Sequence, residues 1–155
     1  MASEIDLTET VRELALERLG VDLFGVAPIH RFLGAPEGRR PVDYLPNAKS
    51  VVVCAAKIPD AAIDVAGRYD EPGKTLGPYM WSGYVVPNWD LSSAANRLAR
   101  FLEVKGFKAL PFPPTGLLYK YGNVGDFSHR HAAVAAGLGE FGFSGLVLTP
   151  EFGPR

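Results

Sequence analysis

The chain has 155 residues, with 16 Lys plus Arg against 17 Asp plus Glu and a net charge of −1. That length suits one domain; the charge balance argues against a basic nucleic-acid module and the 47% apolar content against wholesale disorder. The 17 Gly and 13 Pro predict frequent interruptions of regular structure, because together they exceed the roughly 12% of an average chain.

Along the chain, residues 8–19 read as a helix with Thr8 as its cap. Leu7, Val11, Leu14, Ala15 and Leu19 recur at helical spacing, and Gly20 is a natural stop. A strand is expected over 23–27, ended by Pro28. Residues 31–47 read as loop. The clearest strand is 50–58, where the continuous apolar run from Val51 to Ala56 implies cover on both faces. Cys54, the single cysteine, lies in that run and reads as a small buried hydrophobe. It permits no disulfide within the chain. Nor can this chain alone build a cysteine-ligated iron–sulfur cluster or a structural zinc site.

Residues 60–87 carry so many Gly and Pro that a long loop is expected, rich in aromatics (Tyr69, Tyr79, Trp81, Tyr84). A second helix is expected over 90–105, capped by Asp90 and stopped by Gly106, then a short strand over 107–110. A further loop spans 111–127. A third, Ala-rich helix is expected over 128–138, capped by Asp126 or Ser128, and a last strand over 146–148. The alternation predicts one α/β domain over 1–155, with helices burying one or both faces of a sheet. No apolar run approaches the ~18 residues of a membrane span. The first seven residues hold Glu4 and Asp6 and no basic residue, unlike a secretory signal, so a cytoplasmic location is expected.

Three features could carry chemistry. Gly137-Leu138-Gly139-Glu140-Phe141-Gly142 has the spacing of a dinucleotide fingerprint. It follows a helix and precedes a strand, however, the reverse of what such a fingerprint needs, so backbone turning and close approach are the better reading. His129 and His131 are two residues apart and do not share a helical face, so no metal site is read from them. Ser128 at a helix start beside His129 and Arg130 offers an anion site or plain capping; its adjacency to histidine is not evidence of a nucleophile triad. Finally, residues 97–130 carry a net +4 and residues 1–20 a net −3, which favours a solvated surface or mild positive potential near a pocket.

The run from Ser128 to Gly145, with Leu148-Thr149-Pro150-Glu151-Phe152-Gly153 and the upstream Asp43-Tyr44-Leu45-Pro46-Asn47-Ala48-Lys49-Ser50-Val51-Val52-Val53, resembles the epoxyqueuosine reductase and reductive dehalogenase superfamily. The resemblance covers most of residues 10–155, and Ala136-Gly137-Leu138-Gly139 is its most specific element. It implies a nitroreductase-like α/β sandwich, compact and incomplete. It also implies a bound corrinoid (cobalamin) and reduction of an epoxide or a carbon–halogen bond. Electrons would come from iron–sulfur clusters that this chain does not hold, so an iron–sulfur protein, a second subunit or a homo-oligomer is implied as partner. Gly137, Gly139, Gly142, Ser144 and Gly145 would lie against the cofactor, with Tyr119, Ser128 and His129 on the loop entering the pocket. The family's catalytic aspartate falls at Asn123, a poor proton donor, which leaves Asp126 as the nearby acid. Two alternatives stand beside this reading: a non-catalytic scaffold or interaction subunit, and a small flavin-binding oxidoreductase.

Overall fold

The computed structural model describes residues 4–66, 77–114 and 125–154. It is a mixed α and β chain in which helix dominates. Helix α1 (Glu4–Glu13) runs on into a π-helical turn (Leu14–Arg18). Strand β1 (Leu23–Pro28) is followed by a 3-10 turn (Ile29–Phe32) and the short helix α2 (Pro41–Tyr44). Strand β2 (Ser50–Ala55) and helix α3 (Asp60–Ala66) come next. A π-helical turn (Met80–Val85) leads without a break into the long helix α4 (Val86–Val104). Helix α5 (His129–Ala135) and the two-residue strands β3 (Glu140–Phe141) and β4 (Val147–Leu148) complete the order.

The centre is an antiparallel ribbon of β1 and β2, in register from Leu23 opposite Ala55 to Pro28 opposite Ser50. Side chains alternate across a strand, and the two faces of this ribbon meet different neighbours. Phe24, Val26, Val52 and Cys54 pack with Val11, Ala15, Val21 of the N-terminal segment and Ala94 and Leu98 of α4. The opposite face carries Gly25, Ala27, Val51 and Val53, against Phe32 and the Ala132, Ala135 and Ala136 of α5 and its cap. Both faces of β2 are thus covered, as its unbroken apolar run predicts. Among the described residues the strands form two ribbons, β1–β2 and β3–β4, and no nitroreductase-like sheet is shown.

Several expectations are corrected. Thr8 does not cap the first helix, because that helix already runs from Glu4. Residues 60–87 are not one long loop: α3 and the π-helical turn occupy much of the stretch. Asp90 is not an N-cap, since helix precedes it; Pro87 falls where the π-helical turn passes into the α-helix. Residues 107–110 form no strand. Part of 111–127 lies outside the described residues. Two stops hold as expected. Gly20 and Gly106 have φ of +71° and +89°, left-handed values that end their helices. After Gly106, the Phe107 N–H reaches back to the Leu102 carbonyl at 3.0 Å, closing a Schellman-type end. Among the described residues no helix is long and apolar enough to cross a membrane.

Candidate functional site

The α5 helix starts where the sequence places it. Ser128 has extended backbone (φ −94°, ψ 97°), and its Oγ accepts from the His131 N–H at 3.5 Å, a weak cap by length. The same Oγ lies 2.6 Å from His131 Nδ1. The hydroxyl can donate to that nitrogen while its lone pair faces the backbone N–H, an arrangement that suits an imidazole with its proton on Nε2. The His131 ring also packs against Phe141, with centroids 4.8 Å apart. His129 turns elsewhere: its Nε2 donates to the Pro113 carbonyl at 2.8 Å, and its ring meets Phe127 edge-on. The two histidines therefore serve separate contacts, as residues two apart on a helix must. Among the described residues no three His, Cys, Asp or Glu side chains come together as a metal-ligand set.

Behind α5 lies an aromatic stack that sequence reasoning missed. Phe112 stacks on Phe127 at 5.2 Å, Phe127 meets Phe32 at 6.0 Å, and Tyr44 meets Phe112 edge-on at 4.9 Å. Such offset and edge geometries suit the ring quadrupoles. The stack ties four segments together that are far apart in sequence. The Tyr44 hydroxyl donates to the Asp126 carbonyl at 2.9 Å. Burial pushes the Tyr44 phenol above its ordinary value, and the negative charge of Asp126 adds to the push, so the donor stays protonated. Asp126 and His129 converge with Phe112, Pro113 and Phe127 on a hollow of about 10 Å³, room for one water.

The positive charge of this region is already committed. Arg31 donates to the Ala135 carbonyl at 2.6 Å and Arg130 to the Gly145 carbonyl at 2.8 Å, while Arg39 donates to the Gly125 carbonyl. Each guanidinium pins a turn or a helix end rather than facing an open pocket.

The glycine element has a local explanation. Gly137, at φ +78°, ends α5, and the Leu138 N–H returns to the Ala133 carbonyl at 3.0 Å. Gly139 sits so close to β4 that a Cβ would stand 2.1 Å from the Leu148 carbonyl oxygen. At Gly142 a Cβ would meet the Leu148 side chain at 3.1 Å. Gly145 takes φ +74° in the turn between β3 and β4, beside the exposed Ser144. The close approach predicted for these glycines is real, and what approaches Gly139 and Gly142 is the chain's own β4. Phe141, Phe143, Leu146 and Leu148 of the same hairpin are exposed, Phe143 fully.

The structure thus brings Asp126 to His129, and Ser128 to His131, with Gly137, Gly139, Gly142, Ser144 and Gly145 following in the adjoining turn and hairpin. Asn123 and Tyr119 lie outside the described residues. Cys54 is half-buried on the α1/α4 side of the ribbon, and burial pushes its thiol up to about 11, the behaviour of an inert packing residue. No family model, curated protein or solved structure matches the chain.

Proposed function

We propose that this chain is the cofactor-binding portion of a corrinoid-dependent reductase of epoxides or carbon–halogen bonds, working in the cytoplasm with an iron–sulfur protein or second subunit as electron donor. The observation that carries the reading is the apolar exposure of the β3–β4 hairpin: Phe141 stands open against His131 of the Ser128–His131 pair, Phe143 lies exposed in the following turn, and Leu146 and Leu148 are exposed on the opposite face. Grouped apolar exposure of this kind marks a surface that something covers. The 10 Å³ hollow at Asp126 is far too small for a macrocycle. The residues present therefore suit such a group on the outside of the hairpin, on its Phe141 face beside His131, not inside the domain.

When bound, the corrinoid would supply the electron-transfer chemistry at its metal. This chain's contribution is binding and proton supply. Ser128, His129 and Ser144 would hold polar edges, with Tyr119 joining them on sequence grounds. The turns at Gly137, Gly139, Gly142 and Gly145 set the hairpin's shape. Asp126, near Asn123 in sequence, would be the acid that relays a proton from solvent to the reduced product. Calorimetric titration with hydroxocobalamin tests the reading. Saturable heat is expected, with affinity about tenfold weaker in Phe143→Ser, in line with one lost aromatic contact. Absence of saturable heat sinks it.

One observation favours a second reading, a non-catalytic scaffold or interaction subunit. Leu148 fills the space at Gly139 and Gly142, so those glycines are explained without any ligand. Native mass spectrometry separates the two readings: a stoichiometric cysteine-rich partner held by a chain that ignores cobalamin would favour the scaffold.

A further inference from the structure

A half-open cleft of about 190 Å³ lies away from α5, at the Leu23–Ala55 end of the central ribbon. An apolar cavity of ~150 Å³ holds benzene, so this one has room for a single ring with a short substituent. Its lining mixes apolar residues, Val21, Val86 and Leu91 among them, with the charged residues Asp22, Lys57 and Asp90. The Lys57 ammonium is spent on Asp60 at 3.0 Å and also lies 5.7 Å from the Phe152 ring centroid. Asp22 Oδ2 accepts from the Lys57 backbone N–H at 2.7 Å, which fixes that carboxylate in place. Asp90 makes no ion pair or side-chain hydrogen bond among the described residues. The cleft therefore presents the carboxylates of Asp22 and Asp90 alongside apolar side chains.

Two π-helical turns lie next to the cleft. The π-helical turn Leu14–Arg18 leads directly to the lining residue Leu19, and the π-helical turn Met80–Val85 contains the lining residue Ser82. π-turns of this kind recur at functional sites in helices.

We infer that this cleft binds a small organic cation: a primary ammonium on a single ring or short apolar body, its charge paired with Asp90 and Asp22 and its body on Val21, Val86 and Leu91. The site is independent of the corrinoid reading. The two tryptophans, Trp81 and Trp89, immediately precede the lining residues Ser82 and Asp90, and their rings meet edge-on at 5.7 Å. Both rings are exposed and neither lines the cleft, so occupancy is read instead from the backbone amide chemical shifts of lining residues such as Gly20, Val21 and Asp90.

The test titrates the full chain with benzylamine and, in parallel, with its neutral and anionic counterparts benzyl alcohol and benzoate. A ligand of this size supports a Kd of ~1 mM. Saturable shifts of the lining amides with benzylamine are expected at that order. Benzyl alcohol should bind about tenfold more weakly and benzoate not at all. Asp90→Asn, checked for native circular dichroism, should remove the preference for the amine over the alcohol. Equal binding of amine and alcohol to the unaltered protein overturns the inference, as does the lack of any saturable change with benzylamine. Because those comparisons need no variant, they decide the matter even if Asp90→Asn fails to fold.

Discussion

The two faces of the β1–β2 ribbon differ most along β1: a wide face carries Phe24 and Val26, a narrow face Gly25 and Ala27. On one, Phe24, Val26, Val52 and Cys54 interlock with Val11, Leu14, Leu98 and Phe101, large side chains that hold helices at ordinary packing distance. On the other, Gly25 and Ala27 face Ala132 and Ala136, so the backbone of α5 comes close: a Cβ on Gly25 would stand 3.0 Å from that of Ala136. Large residues bury much apolar area and dominate stability, at roughly 2–3 kcal/mol for each fully buried Leu or Phe. Small residues bury little but fix a position closely. The second face thus acts as a positioning surface, and the residues it positions are the Ser128–His131 pair, the Asp126–His129 hollow and the glycine hairpin.

That contrast can be broken from either side. The largest effect is expected from Phe24→Ala, which removes a buried ring from the wide face and should cost about 4 kcal/mol in denaturant unfolding. A smaller loss with no change in m-value would mean the wide face does not carry the stability. Next comes the narrow face. Gly25→Ala adds one methyl against Ala136 and Leu138 and should cost about 2 kcal/mol by overpacking. The same methyl at Gly34, where nothing lies within 4 Å and φ is not positive, should be neutral or slightly stabilising. Equal effects at the two glycines would remove the argument for close approach.

Ser128→Ala should cost about 1 kcal/mol, the value of an N-cap, and Ser128→Asp should recover most of it. If Asp does not restore stability, the hydroxyl's contact with His131 Nδ1 matters more than the cap.

The smallest effect is the pH response of Cys54. Its thiol titrates near 11 in the fold against an ordinary 9.0. The folded state therefore retains its proton where the unfolded state loses it. Its contribution is fully present below pH 9.0 and is lost as pH rises towards 11. A Cys54→Ala chain measured across that window should show a shallower decline in stability; identical slopes would contradict the assignment.

Much of the wide face was legible in the sequence, because periodic apolar residues such as Val11, Ala15 and Leu98 announce a buried stripe. The strand at Val51 to Val53 announced cover on both sides for the same reason. The helical stretch before Asp90 was hidden by Gly83 and Pro87, which read as breakers. Pro87 falls where the π-helical turn passes into α4. In the candidate site, the Ser128 cap was legible because capping is local. The stack of Phe32, Tyr44, Phe112 and Phe127 was not, since its members meet only through tertiary structure. The glycines were visible, but their reason was not: only the placement of Leu148 shows what occupies the room at Gly139 and Gly142.

The narrow face positions the α5–hairpin surface proposed to take the cofactor, while the wide face holds the fold. Amide hydrogen exchange of the full chain, with and without saturating hydroxocobalamin, tests this division most directly. The account predicts added protection in residues 128–148 and unchanged exchange in α1 and α4. Unchanged exchange throughout, or protection confined to α1 and α4, would contradict it.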